Sequence, residues 1–172
     1  MSLEIERKFL LKEYPEHLIK DGKLKVISQQ MIDQTYIAMD EDQELRVRKI
    51  VDKLSGDVTY THTFKKGNGL VREEVEYSIS GGIYEQIVSA FNYIPLMKTR
   101  TTAQWEDIVI EIDQYHQIDF IVLEVEFKSE KEASEFDTPY WFGEDISSNR
   151  QFSNKTVWEE LQRNRNGYDL HI

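Results

Sequence analysis

Glu4, Glu6 and Lys8 occupy alternate positions in Glu4-Ile5-Glu6-Arg7-Lys8-Phe9. Alternate side chains of a β-strand point to one face, so a strand here would set two carboxylates and an ammonium in a row, with Ile5 and Phe9 opposite. Carboxylate oxygens are hard donors that suit Mg²⁺ or Mn²⁺. A neighbouring cation suits a phosphate. A metal site beside an anion site is what hydrolysis of a phosphate ester or phosphoanhydride requires. The same residues would also serve as the solvated face of an amphipathic edge strand, because strand charges usually face water. What shifts the balance is recurrence.

The pattern recurs in nearly every segment with period-two alternation. Arg46 and Arg48 share a face opposite Leu45 and Val47, and Thr59, Thr61, Thr63 and Lys65 share one opposite Val58, Tyr60, His62 and Phe64. Arg72, Glu74 and Glu76 stand against Val71, Val75 and Tyr77, and Lys98 pairs with Arg100. Glu111 and Asp113 oppose Ile110 and Ile112, and Glu124, Glu126 and Lys128 oppose Leu123, Val125 and Phe127. An open sheet packed on helices, with its charges in water, accounts for the alternation. A sheet closed on itself, apolar face outward and charged face lining a tunnel, accounts equally for it. In the second case each enclosed charge needs a partner, water, metal or substrate. Periodicity alone leaves both open.

The elements that carry these faces read as eight strands: Leu3 to Leu11, Ser28 to Ala38, Glu44 to Ile50, Asp57 to Lys65, Leu70 to Ile79, Leu96 to Trp105, Asp107 to Tyr115 and Phe120 to Lys128. Short links such as Asp52 to Asp57 and Lys66-Gly67-Asn68-Gly69 predict hairpins and antiparallel pairing. The second link lacks the spacing and trailing Lys-Ser/Thr of a phosphate-binding loop and reads as a turn. Helices are expected over Tyr14 to Lys20, Ser80 to Asn92, Lys155 to Asn164 with Asn154 as cap, and after a capping box at Ser129-Glu130-Lys131-Glu132. No repeat or linker interrupts the chain, so residues 1–172 read as one domain.

In order along the chain, these motifs resemble the CYTH domain superfamily, the triphosphate tunnel metalloenzymes. Glu4 to Phe9 is similar to its ExExK signature and Gln34-Thr35-Tyr36 to its second-strand motif. Arg46-Val47-Arg48 resembles its paired arginines, and Thr61, Thr63, Lys65 and Arg72 to Glu76 the next hairpin. Lys98-Thr99-Arg100 resembles the basic strand after its helix, and Glu111-Ile112-Asp113 and Leu123 to Phe127 the closing acidic strands. Phe152-Ser153-Asn154 resembles a tail motif that more often begins with tyrosine, so the hydroxyl is missing here. The resemblance spans about residues 3 to 155.

It implies an α+β fold: a closed eight-stranded antiparallel barrel with a charged interior and short helices packed outside. It implies a divalent cation, Mg²⁺ or Mn²⁺, and hydrolysis of the terminal phosphoanhydride of inorganic triphosphate or a nucleoside triphosphate. Adenylate cyclase, thiamine triphosphatase and a non-catalytic polyphosphate-binding module are the alternatives. Lys8, Arg46, Arg48, Lys65, Arg72, Lys98 and Arg100 are expected to hold the phosphates. Glu4, Glu6, Glu124 and Glu126 are expected to bind metal. Lys8, Glu74, Glu76, Glu111 and Asp113 are expected at the chemical step, the four acids serving equally well to balance nearby cations. His17, His62, His116 and His171 have no ligand spacing, and Trp105, Trp141 and Trp158 are expected to pack.

The chain has 172 residues, enough for a real core, and no cysteine for a disulfide or thiolate site. Its net charge of −11 argues against nucleic-acid polymers and anionic membranes as partners, but not against an anion held in a pocket of clustered cations. No apolar run reaches membrane-spanning length. The start, Met-Ser-Leu-Glu, lacks the regions of a signal peptide, so a cytoplasmic protein is expected. The acidic exterior leaves room for a homodimer without marking its surface.

Overall fold

The computed structural model of the chain describes the backbone of residues 2–169 and side chains through Arg165. His171 lies outside the described residues. The strands are β1 (Ser2–Leu11), β2 (Leu24–Met39), β3 (Gln43–Asp52), β4 (Val58–Lys66), β5 (Val71–Ser78), β6 (Leu96–Trp105), β7 (Ile108–Tyr115) and β8 (Ile121–Glu126). The helices are α1 (Glu16–Lys20), α2 (Gly81–Ala90), α3 (Glu130–Glu135) and α4 (Asn154–Asp169), the last preceded by a 3-10 turn at Arg150–Phe152.

The strands close into a barrel in the order β1-β5-β4-β3-β2-β6-β7-β8, and every neighbouring pair is antiparallel. Closure settles the choice left by the alternation: the charged face looks inward. Two strands make closure possible. β2 is long enough to pair with β6 from Leu24 to Gln34 and with β3 from Gln30 to Met39, and it bends at irregularities between Val26 and Ser28 and between Tyr36 and Ala38. Such bulges add local twist and turn a strand out of plane. β1 is the seam: Ser2 to Ile5 pair with β5, and Glu6 to Leu11 pair with β8.

Beyond Ile5, β1 has lost β5, and the chain after α3 fills the gap. Asp145 bridges to Phe9, Glu144 O accepts from Leu10 N, and Ile146 N donates to Lys8 O. Gly143 permits this approach, because a Cβ there would lie 1.7 Å from the Leu10 carbonyl oxygen.

The apolar faces divide into two cores. Phe9, Leu11, Ala103, Trp105, Ile110, Ile112, Leu123 and Val125 project outward and are covered by Leu18 of α1 and by Phe136, Trp141 and Phe142. Elsewhere on the exterior, α2 lays Tyr84 against Tyr60 of β4. The second core is inside. Tyr36, Leu96, Tyr115 and Val122 lie at one end of the barrel, where Ile146 and then Val157 and Trp158 of α4 close over them. So α1, α2 and α3 lie outside as expected, whereas α4 covers an end. Its hydroxyl cap is Ser153, whose Oγ accepts from Thr156 N, and not Asn154, whose Oδ1 accepts from the Tyr115 hydroxyl. Half of the expected capping box forms at α3: Ser129 Oγ accepts from Glu132 N, whereas the Glu132 carboxylate accepts from Lys128 N, one residue before the cap.

Candidate active site

A cavity of about 870 Å³ occupies the barrel interior. Its wall includes all but three of the charged residues picked out by strand parity: Glu4, Glu6 and Lys8 of β1, Arg46 and Arg48 of β3, Lys65 of β4, Arg72, Glu74 and Glu76 of β5, Arg100 of β6, Glu111 of β7, and Glu124 and Glu126 of β8. Toward one end it continues between Met39 to Glu41, Asn68, Gly69 and residues 146–156. The antiparallel order places the β2–β3 and β4–β5 connections at that same end, where two contacts join them and a third ties the β2–β3 connection to α4. Asp42 O accepts from Gly67 N, Glu41 O from the Asn68 amide, and Asp40 O from Lys155 Nζ of α4.

Of the three exceptions, Lys128 lies beyond the end of β8, and the other two are Lys98 and Asp113. They face inward but lie behind the cavity wall, 1% and 0% exposed, joined by a 2.8 Å bond from Lys98 Nζ to Asp113 Oδ2. Burial lowers Lys98 to about 8, outweighing the pull of Asp113. Burial opposes ionisation of Asp113 too, but Arg100 and Lys98 overcome it and hold the carboxyl well below its ordinary range.

On the β3–β5 side, cations have few partners. Arg48 Nη2 donates to Glu76 Oε2 at 2.8 Å, and Thr63 donates to the same oxygen at 2.6 Å. Arg46 forms no ion pair among the described residues. The buried Nε–H groups of both Arg46 and Arg48 lack an acceptor. Burial, with Arg46 alongside, lowers Arg48 to about 10. Lys65 lies 2.8 Å from Glu4 and 3.2 Å from Glu74. Arg72 is turned to the rim, bonding Glu44 at 3.1 Å and the Gly67 carbonyl.

On the β6–β8 and β1 side, carboxylates crowd few cations. Register sets Glu6 opposite Glu126, Lys8 opposite Glu124 and Glu111 opposite Glu124. Lys8 stands 3.5 Å from Glu6 and 3.6 Å from Glu124. Burial and then the Glu124 charge push Glu6 up to about 7 despite Lys8. Burial acts on Glu124 in the same direction, but Lys8 and Arg100 outweigh it and hold that carboxyl at about 2. Glu126 is exposed and forms no ion pair among the described residues.

The acidic side has the donor chemistry for a hard divalent cation: oxygen ligands only, with the Glu6 carboxyl pushed up first by burial and then by the neighbouring Glu124 charge. In this arrangement, no three His, Asp or Glu residues among those described converge closely enough to hold an ion. Glu6 and Glu124 lean on Lys8 instead, and would exchange that partner for the metal.

Two contributors escaped the sequence reading. Tyr36 lines the cavity and is pushed up to about 12, chiefly by burial, so it keeps its proton. Its place in Gln34-Thr35-Tyr36 marks the second strand without giving it a role, although it shares a strand face with Gln34 and sits opposite Arg46. Glu44, the partner of Arg72, shares a face with Arg46 and Arg48, and parity could have found it. The histidines described stay out of the cavity wall: His62 bonds Tyr77 and His116 bonds Thr99. Trp105 and Trp141 pack in the outer core and Trp158 in the inner one.

The sequence pattern of the family described as CYTH domain matches residues 2–153. The chain belongs to the CYTH domain family. It is similar to a protein named inorganic triphosphatase from Nitrosomonas europaea, with 32% identity over 158 residues, 90% of this chain and 95% of the relative. It is similar to another of that name from Acetivibrio thermocellus, 27% identical over 95% of this chain and 98% of the relative. A crystal structure of an inorganic triphosphatase matches 92% of this CYTH chain and 95% of its own length, at 30% identity and a TM-score of 0.61. Among the described residues of this CYTH chain, no helix is long and apolar enough to cross a membrane.

Proposed function

We propose that this CYTH chain is a hydrolase that cleaves the terminal phosphoanhydride of a triphosphate, with inorganic triphosphate as its substrate and a divalent cation, Mg²⁺ or Mn²⁺, as cofactor. The observation that carries this reading is the meeting, inside one cavity, of a buried arginine without an ion-pair partner and a carboxylate cluster without enough cations. A polyphosphate with its metal supplies what each side lacks. The kinship with two proteins named inorganic triphosphatase points to the same reaction.

In this reading Arg46 and Arg48 grip the phosphate oxygens, their unfilled Nε–H groups adding donors to the fork of the guanidinium. Lys65 adds a point charge, and Lys8 stands between the phosphates and the acids. Glu6, Glu124 and Glu126 are the candidate metal ligands; Glu4 is tied to Lys65 and would join them by releasing it. When bound, the cation supplies charge neutralisation at the phosphate oxygens and activation of the attacking water. The chain's own part is to fix the terminal phosphorus in line with that water and to hold positive charge where the departing pyrophosphate gains negative charge. Glu74 and Glu76 keep Lys65 and Arg48 in place. The partner implied is a small molecule, in keeping with a cytoplasmic setting.

The test is phosphate release from inorganic triphosphate, ATP and thiamine triphosphate with and without Mg²⁺ or Mn²⁺, with cyclic AMP measured alongside. Release from inorganic triphosphate that stops with chelator is the expected result. Formation of cyclic AMP and pyrophosphate from ATP, without triphosphate hydrolysis, would replace this reading with that of a cyclase.

A further inference from the structure

Arg100 lies between two layers of acid. Behind it, Asp113 accepts from Nε at 2.8 Å and from Nη2 at 2.9 Å, a bidentate grip on one edge of the guanidinium. Toward the cavity, Nη1 meets Glu111 at 2.7 Å and Nη2 reaches Glu124 at 3.6 Å. Glu111 and Glu124 are directly opposed across β7 and β8, so two like charges share one cation. Asp113 in turn accepts from Lys98, and both are sealed from solvent. The aromatic ring of Tyr115 closes over Lys98 Nζ at 5.8 Å.

We propose that Asp113 and Lys98 are positioning residues: from behind the cavity wall they set the guanidinium of Arg100, and Arg100, with Glu111 on its other amine, sets the carboxylate of Glu124 for divalent-cation binding. The physical reason lies in the geometry of arginine. A bidentate carboxylate fixes the plane of the guanidinium as a single point charge cannot. With that plane fixed, the remaining N–H groups point to two chosen oxygens, and two carboxylates that would repel each other apart are held side by side. Lys98 balances the buried charge of Asp113, so that Arg100 keeps positive charge for the cavity side. The Lys98–Asp113 pair is net neutral, and its influence on the cavity passes through orientation. The same relation of a second layer to a metal-binding layer is general, and its loss typically costs 10–100-fold in metal affinity.

This inference rests on reading Glu124 as a metal ligand, and the experiment separates the two. Mn²⁺ is titrated into the full-length chain and its free concentration followed by paramagnetic resonance. Binding of inorganic triphosphate without metal is measured in parallel by calorimetry. Asp113→Asn is expected to weaken Mn²⁺ binding about 10-fold or more, with metal-free triphosphate binding near the wild-type value. Because Asp113→Asn leaves Lys98 buried and unpaired, the double variant Lys98→Met/Asp113→Leu is measured too. It removes both charges together, so a loss of Mn²⁺ affinity there reports orientation and not a change in net charge. Wild-type Mn²⁺ affinity in a folded double variant would overturn the inference. So would a loss of metal-free triphosphate binding as deep as that of Arg46→Ala, since Lys98 would then be a phosphate ligand. Failure of the wild-type chain itself to bind Mn²⁺ would instead overturn the metal assignment, and the inference with it.

Discussion

Two arcs of the barrel line one cavity with the same residue types and settle their charges in opposite ways. On β3 to β5, Arg48 has one carboxylate partner, Arg46 forms no ion pair among the described residues, and both have a donor left over. On β6 to β8 with β1, Arg100 is gripped by three carboxylates, Lys8 is shared by Glu6 and Glu124, and solvent-exposed Glu126 forms no ion pair among the described residues. The first arc is short of acceptors and the second of cations. Burying charge without full compensation costs stability, so a fold that does it on both sides of one cavity keeps capacity for a ligand that carries both signs. The contrast is already present in composition, with Arg46, Arg48, Lys65 and Arg72 against Glu44, Glu74 and Glu76 on the first arc and Lys8, Lys98 and Arg100 against Glu4, Glu6, Glu111, Asp113, Glu124 and Glu126 on the second; the pairing shows which donors are left over.

The comparison is broken most sharply by removing one carboxylate. Glu6→Gln is expected to abolish metal-dependent triphosphate turnover while the melting curve stays near wild type; near-normal turnover would take Glu6 out of the acidic site. Arg46→Ala should cost on the order of 10²-fold or more in kcat/KM, as loss of a charge-stabilising donor does. It should not lower Tm, because no carboxylate partner is stranded. An unchanged rate would make Arg46 structural.

The tightly paired residues behave differently. Asp113→Asn strands Lys98 and is expected to lower unfolding free energy by about 3–5 kcal/mol, read from urea midpoints at neutral pH. Its pH dependence has a definite sign. The folded carboxyl is held below its ordinary 3.8, so as pH falls the unfolded chain takes up the proton first. Stability from Asp113 is therefore present above that value and lost below it, and the variant should show a shallower fall between about pH 5 and 3. The smallest effect is expected at Phe152, which packs against Phe120 at the cavity rim. Phe152→Tyr adds the hydroxyl that the resembled tail motif more often carries and should change kcat/KM by about twofold at most.

How far this was legible in the sequence differs from element to element. Ladder strands such as β4, expected at Asp57 to Lys65 and observed at Val58–Lys66, announce themselves by strict alternation. β2 begins at Leu24, ahead of the expected Ser28, because the irregularity between Val26 and Ser28 breaks the period of two that marks a strand. Barrel closure came from the family resemblance, since alternation looks the same in an open sheet. Within the site, parity found which side chains face inward but not their depth. Lys98 and Arg100 look equivalent in sequence, yet one is sealed behind the wall and the other lines it. That difference is set by barrel stagger and by the aromatic plug of α4 over Tyr115, both products of long-range pairing.

A crossed binding measurement separates the acceptor-poor arc from the cation-poor arc. Mn²⁺ and, separately, metal-free inorganic triphosphate are titrated into the wild type, Glu6→Gln and Arg46→Ala by calorimetry. The account predicts that Glu6→Gln loses Mn²⁺ and keeps triphosphate, whereas Arg46→Ala loses triphosphate and keeps Mn²⁺. Equal loss of both ligands in each variant, or of neither, would contradict it.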